Sequence, residues 1–97
     1  MIQSFGNEGT RDLYFGISSK AARAVLPMAL WPVAQRKLSY LEAATKVDDL
    51  AAPPGNCLEA LKGKLAGFWS IRINEQYRVI FRFEGANAYE VEILDYH

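Results

Sequence analysis

The chain is poor in the residues that staple or metallate small proteins: its 97 residues include one cysteine, Cys57, and one histidine, His97. A single cysteine excludes an internal disulfide, so stability has to come from packing and hydrogen bonding. No HExxH or CxxC spacing and no carboxylate cluster occurs, which argues against a zinc or redox centre. With no glycine-rich phosphate loop opening a helix, P-loop nucleotide chemistry falls away too. Charge of one sign is also missing. Eleven Lys and Arg stand against eleven Asp and Glu, so no chain-wide field draws the protein to nucleic acid. The longest apolar stretch, Ala24–Ala34, carries Pro27 and Pro32 and is far shorter than the roughly 20 residues of a membrane span. Nor is there the charged start, apolar run and small-residue cleavage site of a secretory signal. The expectation is a cytoplasmic protein with no membrane contact, no metal and no cofactor.

What is present is core material. Apolar residues make up 51% of the chain and aromatics 12%, too much for a disordered polypeptide, and the length suits one domain spanning 1–97. The chain divides into a helical first half and a stranded second half, joined by Ala51-Ala52-Pro53-Pro54-Gly55-Asn56, where two prolines and a Gly-Asn pair interrupt any regular element. Met1–Phe5 reads as a short first strand, followed by a turn and a brief helix over Thr10–Phe15 with Thr10 as N-cap. Leu30, Ala34, Leu38 and Leu41 recur at helical spacing, which predicts a main helix from Trp31 to Ala44 with Pro32 in its first turn.

The second half alternates. Phe68–Ile73, Tyr77–Phe83 and Tyr89–Ile93 read as strands, and keeping one face apolar sets their register. A three-residue loop at Asn74-Glu75-Gln76 pairs Ile71 with Val79 and Trp69 with Phe81. A second, at Gly85-Ala86-Asn87, pairs Phe83 with Tyr89 and Val79 with Ile93. The fold class is therefore α+β, a small twisted and mainly antiparallel sheet with the N-terminal helices packed on one face. The other face carries Ser70, Arg72, Arg78, Ile80, Arg82, Glu90, Glu92, Leu94 and Tyr96. Arg82 falls opposite Glu90 as a surface ion pair. Arg72 and Arg78 fall opposite one another with Tyr96 diagonal to Arg78, and two adjacent guanidiniums suggest an anionic ligand. Between Lys62 and Arg82 five basic residues face one acidic one, Glu75. By itself such a run is an ordinary solvated strand surface.

Three blocks say more: Pro53-Pro54-Gly55-Asn56-Cys57-Leu58-Glu59-Ala60-Leu61-Lys62-Gly63, then Ser70-Ile71-Arg72-Ile73-Asn74 followed by Tyr77-Arg78, and the ending Asp95-Tyr96-His97. In that order and spacing they resemble the HigB-type toxins of the RelE/HigB superfamily, and the resemblance runs over essentially the whole chain. It implies a type II toxin that cuts mRNA in the A site of the 30S ribosomal subunit and is neutralised by a HigA-type antitoxin. It further implies a reactive site at Lys62, Arg78, Tyr96 and His97, with Arg72 as an additional basic position near the RNA; Lys64 stands where that family often has an acidic residue and is read as a second RNA-binding position on its charge. Those residue types suit RNA cleavage by the neighbouring 2′-OH: His97 can move a proton near neutral pH, Lys62 and Arg78 can stabilise phosphoryl charge, and Tyr96 can orient or stack a base. Glu59 stands in reserve. A second reading is a non-catalytic binding module of the same fold, motivated by the neutral charge and by Ala21–Ala34 as an apolar surface for a partner.

Overall fold

Leucines and alanines at helical spacing place the longest helix, α3 (Trp31–Ala43), where the sequence predicts it. In the computed structural model, which describes residues 1–96, Ala34, Leu38 and Leu41 are fully buried along one stripe, with Lys37 buried among them. Pro32 lies in the first turn, where its missing N–H costs no hydrogen bond. Two shorter helices precede it. The first, α1 (Glu8–Tyr14), is capped by Asn7 and not by Thr10: Asn7 Oδ1 accepts from the Thr10 N–H at 2.9 Å. Thr10 is instead inside the helix and buried, its Oγ1 accepting from the Ile93 N–H at 3.0 Å. Replacing Asn7 with Ala is expected to cost about 0.5–2 kcal/mol of stability, read as a shifted urea midpoint at constant m-value.

The second helix, α2 (Lys20–Val25), was not anticipated. Ser19 caps it, Oγ accepting from the Ala22 N–H at 3.0 Å. It crosses α1 so closely that a β-carbon at Gly9 would stand 2.5 Å from the Ala21 carbonyl oxygen. The apolar Ala21–Ala34 segment is thus only partly core, with Ala24, Pro27, Ala29 and Pro32 exposed. Ala22, Leu26, Trp31 and Ala34 are buried, and the Trp31 indole N–H donates to the Leu26 carbonyl at 2.9 Å. Met28 remains exposed.

Four antiparallel strands form the sheet in the order β1 (Glu59–Ala60), β2 (Trp69–Arg72), β3 (Tyr77–Glu84) and β4 (Asn87–Asp95). Strands β2 and β3 pair as predicted, with Trp69 opposite Phe81, Ile71 opposite Val79 and Arg72 opposite Arg78. Asn74 closes their turn, its Oδ1 accepting from the N–H groups of Gln76 and Tyr77 at 2.9 and 2.8 Å. Strands β3 and β4 agree with prediction only at the far end, where Val79 faces Ile93. Nearer the turn, Arg82 faces Tyr89 and Phe83 faces Ala88, one residue away from the predicted pairing. The register shifts between Ile80 and Arg82, beside Glu90, which has φ +53. An extra residue in one strand reverses the inward and outward sense of everything beyond it. Ala88, and not Tyr89, is accordingly the buried residue.

Met1–Phe5 does not form a full strand. It runs parallel to β4 through bridges at Ile2–Ala88 and Phe5–Val91: Ala88 donates to the Met1 carbonyl and accepts from Gln3, and Val91 donates to the Ser4 carbonyl and accepts from Gly6. The edge of β4 is thereby covered. On the helix-packed face Ile71, Val79, Phe81, Val91 and Ile93 join Leu13, Leu26, Leu38 and Leu41 in one core, while Trp69 and Phe83 are partly buried against its margin. The opposite face is not simply polar. Ser70 and Ile80 are buried there, outside that core.

Candidate active site

The polar end of the sheet is built by the register. Arg78 opens β3 between Arg72 on β2 and Leu94 on β4, and the ladder continues past β4 through Tyr96, whose N–H donates to the Gln76 carbonyl at 2.8 Å. Tyr96 therefore returns beside Arg78, with the guanidinium carbon 5.4 Å from the ring centroid. Adjacency of these two residues was legible in the alternation. The degree of enclosure was not. The Arg78 side chain is only 15% exposed, because the segment leading to β1 closes over it. Nη1 donates to Ser70 Oγ at 2.6 Å and to the Cys57 carbonyl at 3.3 Å. Nη2 has a looser partner, the half-exposed Glu59 carboxylate at 3.8 Å. One edge of the guanidinium is thus fixed to the scaffold, and the other is held by a surface ion pair worth at most about 1 kcal/mol, which an incoming phosphate can displace.

Glu59, which β1 sets opposite Ser70, was the reserve residue of the sequence reading. Ser70 was placed on this face without a role, and the Cys57 carbonyl gave no signal at all, since nothing in a side-chain pattern shows where a loop carbonyl points. Arg72 also has a carboxylate, Glu75, at 3.9 Å on the exposed turn. Both arginines of the adjacent pair therefore have acidic neighbours, and their repulsion is relieved within the protein. Arg82 meets Glu90 at 2.9 Å as expected, and it also lies over the Phe68 ring at 4.4 Å.

Lys62 and Lys64 are both exposed, in the segment between β1 and β2, and neither makes an ion pair among the described residues. The ladder locates Lys62 relative to the arginine. Leu61 donates to the Phe68 carbonyl, so Lys62 lies beyond the Glu59–Ser70–Ile80 row on the side away from Arg78. Five strand positions separate the two, roughly 16 Å of backbone. The structure brings Arg78 together with Tyr96 and, across the β2–β3 ladder, with Arg72, while the Lys62 backbone stands roughly five strand positions further along the sheet. His97 lies outside the described residues. Before it, the Asp95 Oδ2 accepts from the Gln76 side-chain amide at 3.0 Å. Among the described residues there is no group of three or more His, Cys, Asp or Glu arranged to hold a metal ion, and no helix is long and apolar enough to cross a membrane.

A four-stranded antiparallel sheet backed on one face by short N-terminal helices is the fold of the RelE-like toxins. A chain of the YoeB-YefM complex from Staphylococcus aureus superimposes with a TM-score of 0.62 at 14% identity, covering 100% of this chain and 98% of that one. Sequence gives the family. The chain belongs to the HigB family, since the family model described as RelE-like toxin of type II toxin-antitoxin system HigB matches residues 3–97. It is 46% identical to Toxin HigB-1 of Vibrio cholerae over 59 residues, 61% of this chain and 62% of that protein. It is 29% identical over its full 97 residues, and over the whole of the relative, to Endoribonuclease HigB of Proteus vulgaris. The chain thus spans under two thirds of the length of the first relative and all of the second.

Proposed function

We propose that this chain is a ribosome-dependent, metal-independent mRNA endoribonuclease that inhibits translation and growth, and that a HigA-type antitoxin holds it in check in the cytoplasm. The observation that carries the reading is the half-immobilised Arg78 guanidinium beside Tyr96. In this mechanism the 2′-OH of the target nucleotide gives up its proton to solvent as it attacks the adjacent phosphorus, the bond to the 5′-oxygen of the next nucleotide breaks, and a cyclic phosphate and a free 5′-OH result. Arg78 Nη2 leaves Glu59 for a phosphoryl oxygen as negative charge develops there. Tyr96 stacks against or orients a base, and His97 gives a proton to the departing 5′-oxygen. Lys62, Lys64 and Arg72 contact flanking phosphates from the exposed segment and the neighbouring strand. With one histidine and few cations to position a flexible strand, that task falls to the ribosome.

Primer extension on mRNA from programmed ribosomes and on the same RNA free in solution tests this. Codon-linked 5′ ends on ribosomes, with the naked RNA left intact, are expected, whereas equal cleavage of the two would end the claim of ribosome dependence. The non-catalytic module gains one point from the structure, the separation of Lys62 from Arg78. Absence of cuts together with a tight antitoxin complex would select it.

Arg78→Ala is expected to lower ribosomal cleavage about 10²- to 10³-fold, the size of losing one donor to a developing oxyanion. Because Ser70 Oγ is buried and loses its partner, a stability cost of about 1–3 kcal/mol accompanies it. The rate is therefore to be compared at a temperature where circular dichroism shows both chains folded.

A further inference from the structure

Lys37 occupies a position that packing alone would give to leucine. Ala34, Leu38 and Leu41 flank it on the buried stripe of α3, and an ammonium taken from water without a carboxylate is expensive. Among the described residues Lys37 has no ion-pair partner. Burial, reinforced by the Arg36 guanidinium, holds its pKa below the ordinary lysine value. What the ammonium has is one short hydrogen bond, from Nζ to Asn56 Oδ1 at 2.6 Å, and the Tyr40 ring at 5.9 Å.

Asn56 is itself fully buried, and its amide is fully occupied: Nδ2 donates to the carbonyls of Leu50 and Ala52 at 3.1 and 3.2 Å. Three bonds fix this side chain between α3 and the loop. The next residue, Cys57, sits at φ 48 and ψ 52, a left-handed conformation that a β-carbon disfavours. Such a conformation persists where the surroundings over-determine it, and here it turns the Cys57 carbonyl onto Arg78 Nη1. The buried pair on α3 and the guanidinium on β3 are thus joined through two adjacent residues of one loop.

We infer that Lys37 and Asn56 are positioning residues for Arg78, holding the loop so that the Cys57 carbonyl and Ser70 Oγ together fix one edge of the guanidinium and leave the other free for phosphate. This rests on the reading of Arg78 as the group that meets the phosphate. The buried charge then costs stability and returns geometry, and removing it should harm turnover more than folding.

Lys37→Met tests the point, since methionine keeps a long unbranched stem and removes the ammonium. Its melting temperature is expected to equal or exceed that of the parent chain. Single-turnover cleavage on programmed ribosomes should fall about 10- to 100-fold at saturation, the scale of a misplaced catalytic group. The half-saturating ribosome concentration should move less than about threefold. In an Arg78→Ala background the same substitution should change nothing further, because residues acting through one another are not additive. No loss in the parent background, or an equal proportional loss in both, overturns the inference. If Lys37→Met fails to fold, Lys37→Gln, one bond too short to reach Oδ1, carries the same expectations. Absence of cleavage by the parent chain would be a failure of the proposed function and not of this inference. A crystal structure of the variant then decides, with a Cys57 carbonyl displaced from Arg78 supporting it and an unmoved one overturning it.

Discussion

Replacing His97 with Ala is expected to lower the single-turnover rate of mRNA cleavage on ribosomes by about 10²- to 10⁴-fold, the usual contribution of a general acid or base. Melting temperature and antitoxin binding should stay in place. The reasoning is chemical: departure of an alkoxide needs a proton, and histidine is the side chain type best suited to exchange one near neutral pH. The pleated core gives the second half of the expectation, since its last buried residue is Ile93 and the ladder closes at Tyr96. Single-turnover assays with matched circular dichroism traces distinguish this from a loss of structure. Should the variant cleave at the parent rate, proton transfer belongs to another group, and Arg78 and Tyr96 have to account for the activity.

The largest loss of stability is expected from Phe81→Ala, about 3–5 kcal/mol. Phe81 is wholly buried at the centre of the helix-packed face, between Trp69 across the β2 ladder and the Phe83 ring 6.4 Å away along its own strand. A domain of this size holds only about 5–15 kcal/mol in all, so the variant should be partly unfolded near 37 °C. The urea midpoint measures the loss, and Trp69→Ala provides the comparison. Because Trp69 is only partly buried, its truncation should cost less than that of Phe81. A larger cost at Trp69 would show that the core lies nearer the β1 edge than the structure places it.

Legibility in the sequence followed the physics of each element. The β2–β3 register could be read because Trp69, Ile71, Val79 and Phe81 leave only one parity with an apolar face, and Asn74 closes a turn of fixed length. The register of β4 beyond Ile93 could not. Ala88 and Tyr89 are both acceptable on an inner face, so the pattern tolerates the extra residue at Glu90. Helix α2 was hidden in the run Lys20-Ala21-Ala22-Arg23-Ala24-Val25, too short to show a period, although Ser19 was a visible cap. Asn7 and Thr10 are both capable caps, and only the tertiary bond from Ile93 decides that Thr10 lies inside the helix. At the site, the meeting of Arg78 and Tyr96 follows from alternation alone. The enclosure of Arg78 depends on where the Cys57–Glu59 segment crosses the sheet, a non-local path that no local spacing encodes.

The pairing of Met1–Phe5 along β4 joins residues more than 80 positions apart. Contacts of such separation close large loops and form slowly. Strand β4 also carries the chain to Tyr96, so the strand that seals the sheet edge is the one that brings the aromatic ring to Arg78. During synthesis the first residues have no strand to pair with until β4 has been made, and a truncated nascent chain has neither a closed edge nor the Arg78–Tyr96 pair. The closed sheet edge and the Arg78–Tyr96 pair therefore both wait on the same strand, and a chain interrupted before β4 has neither.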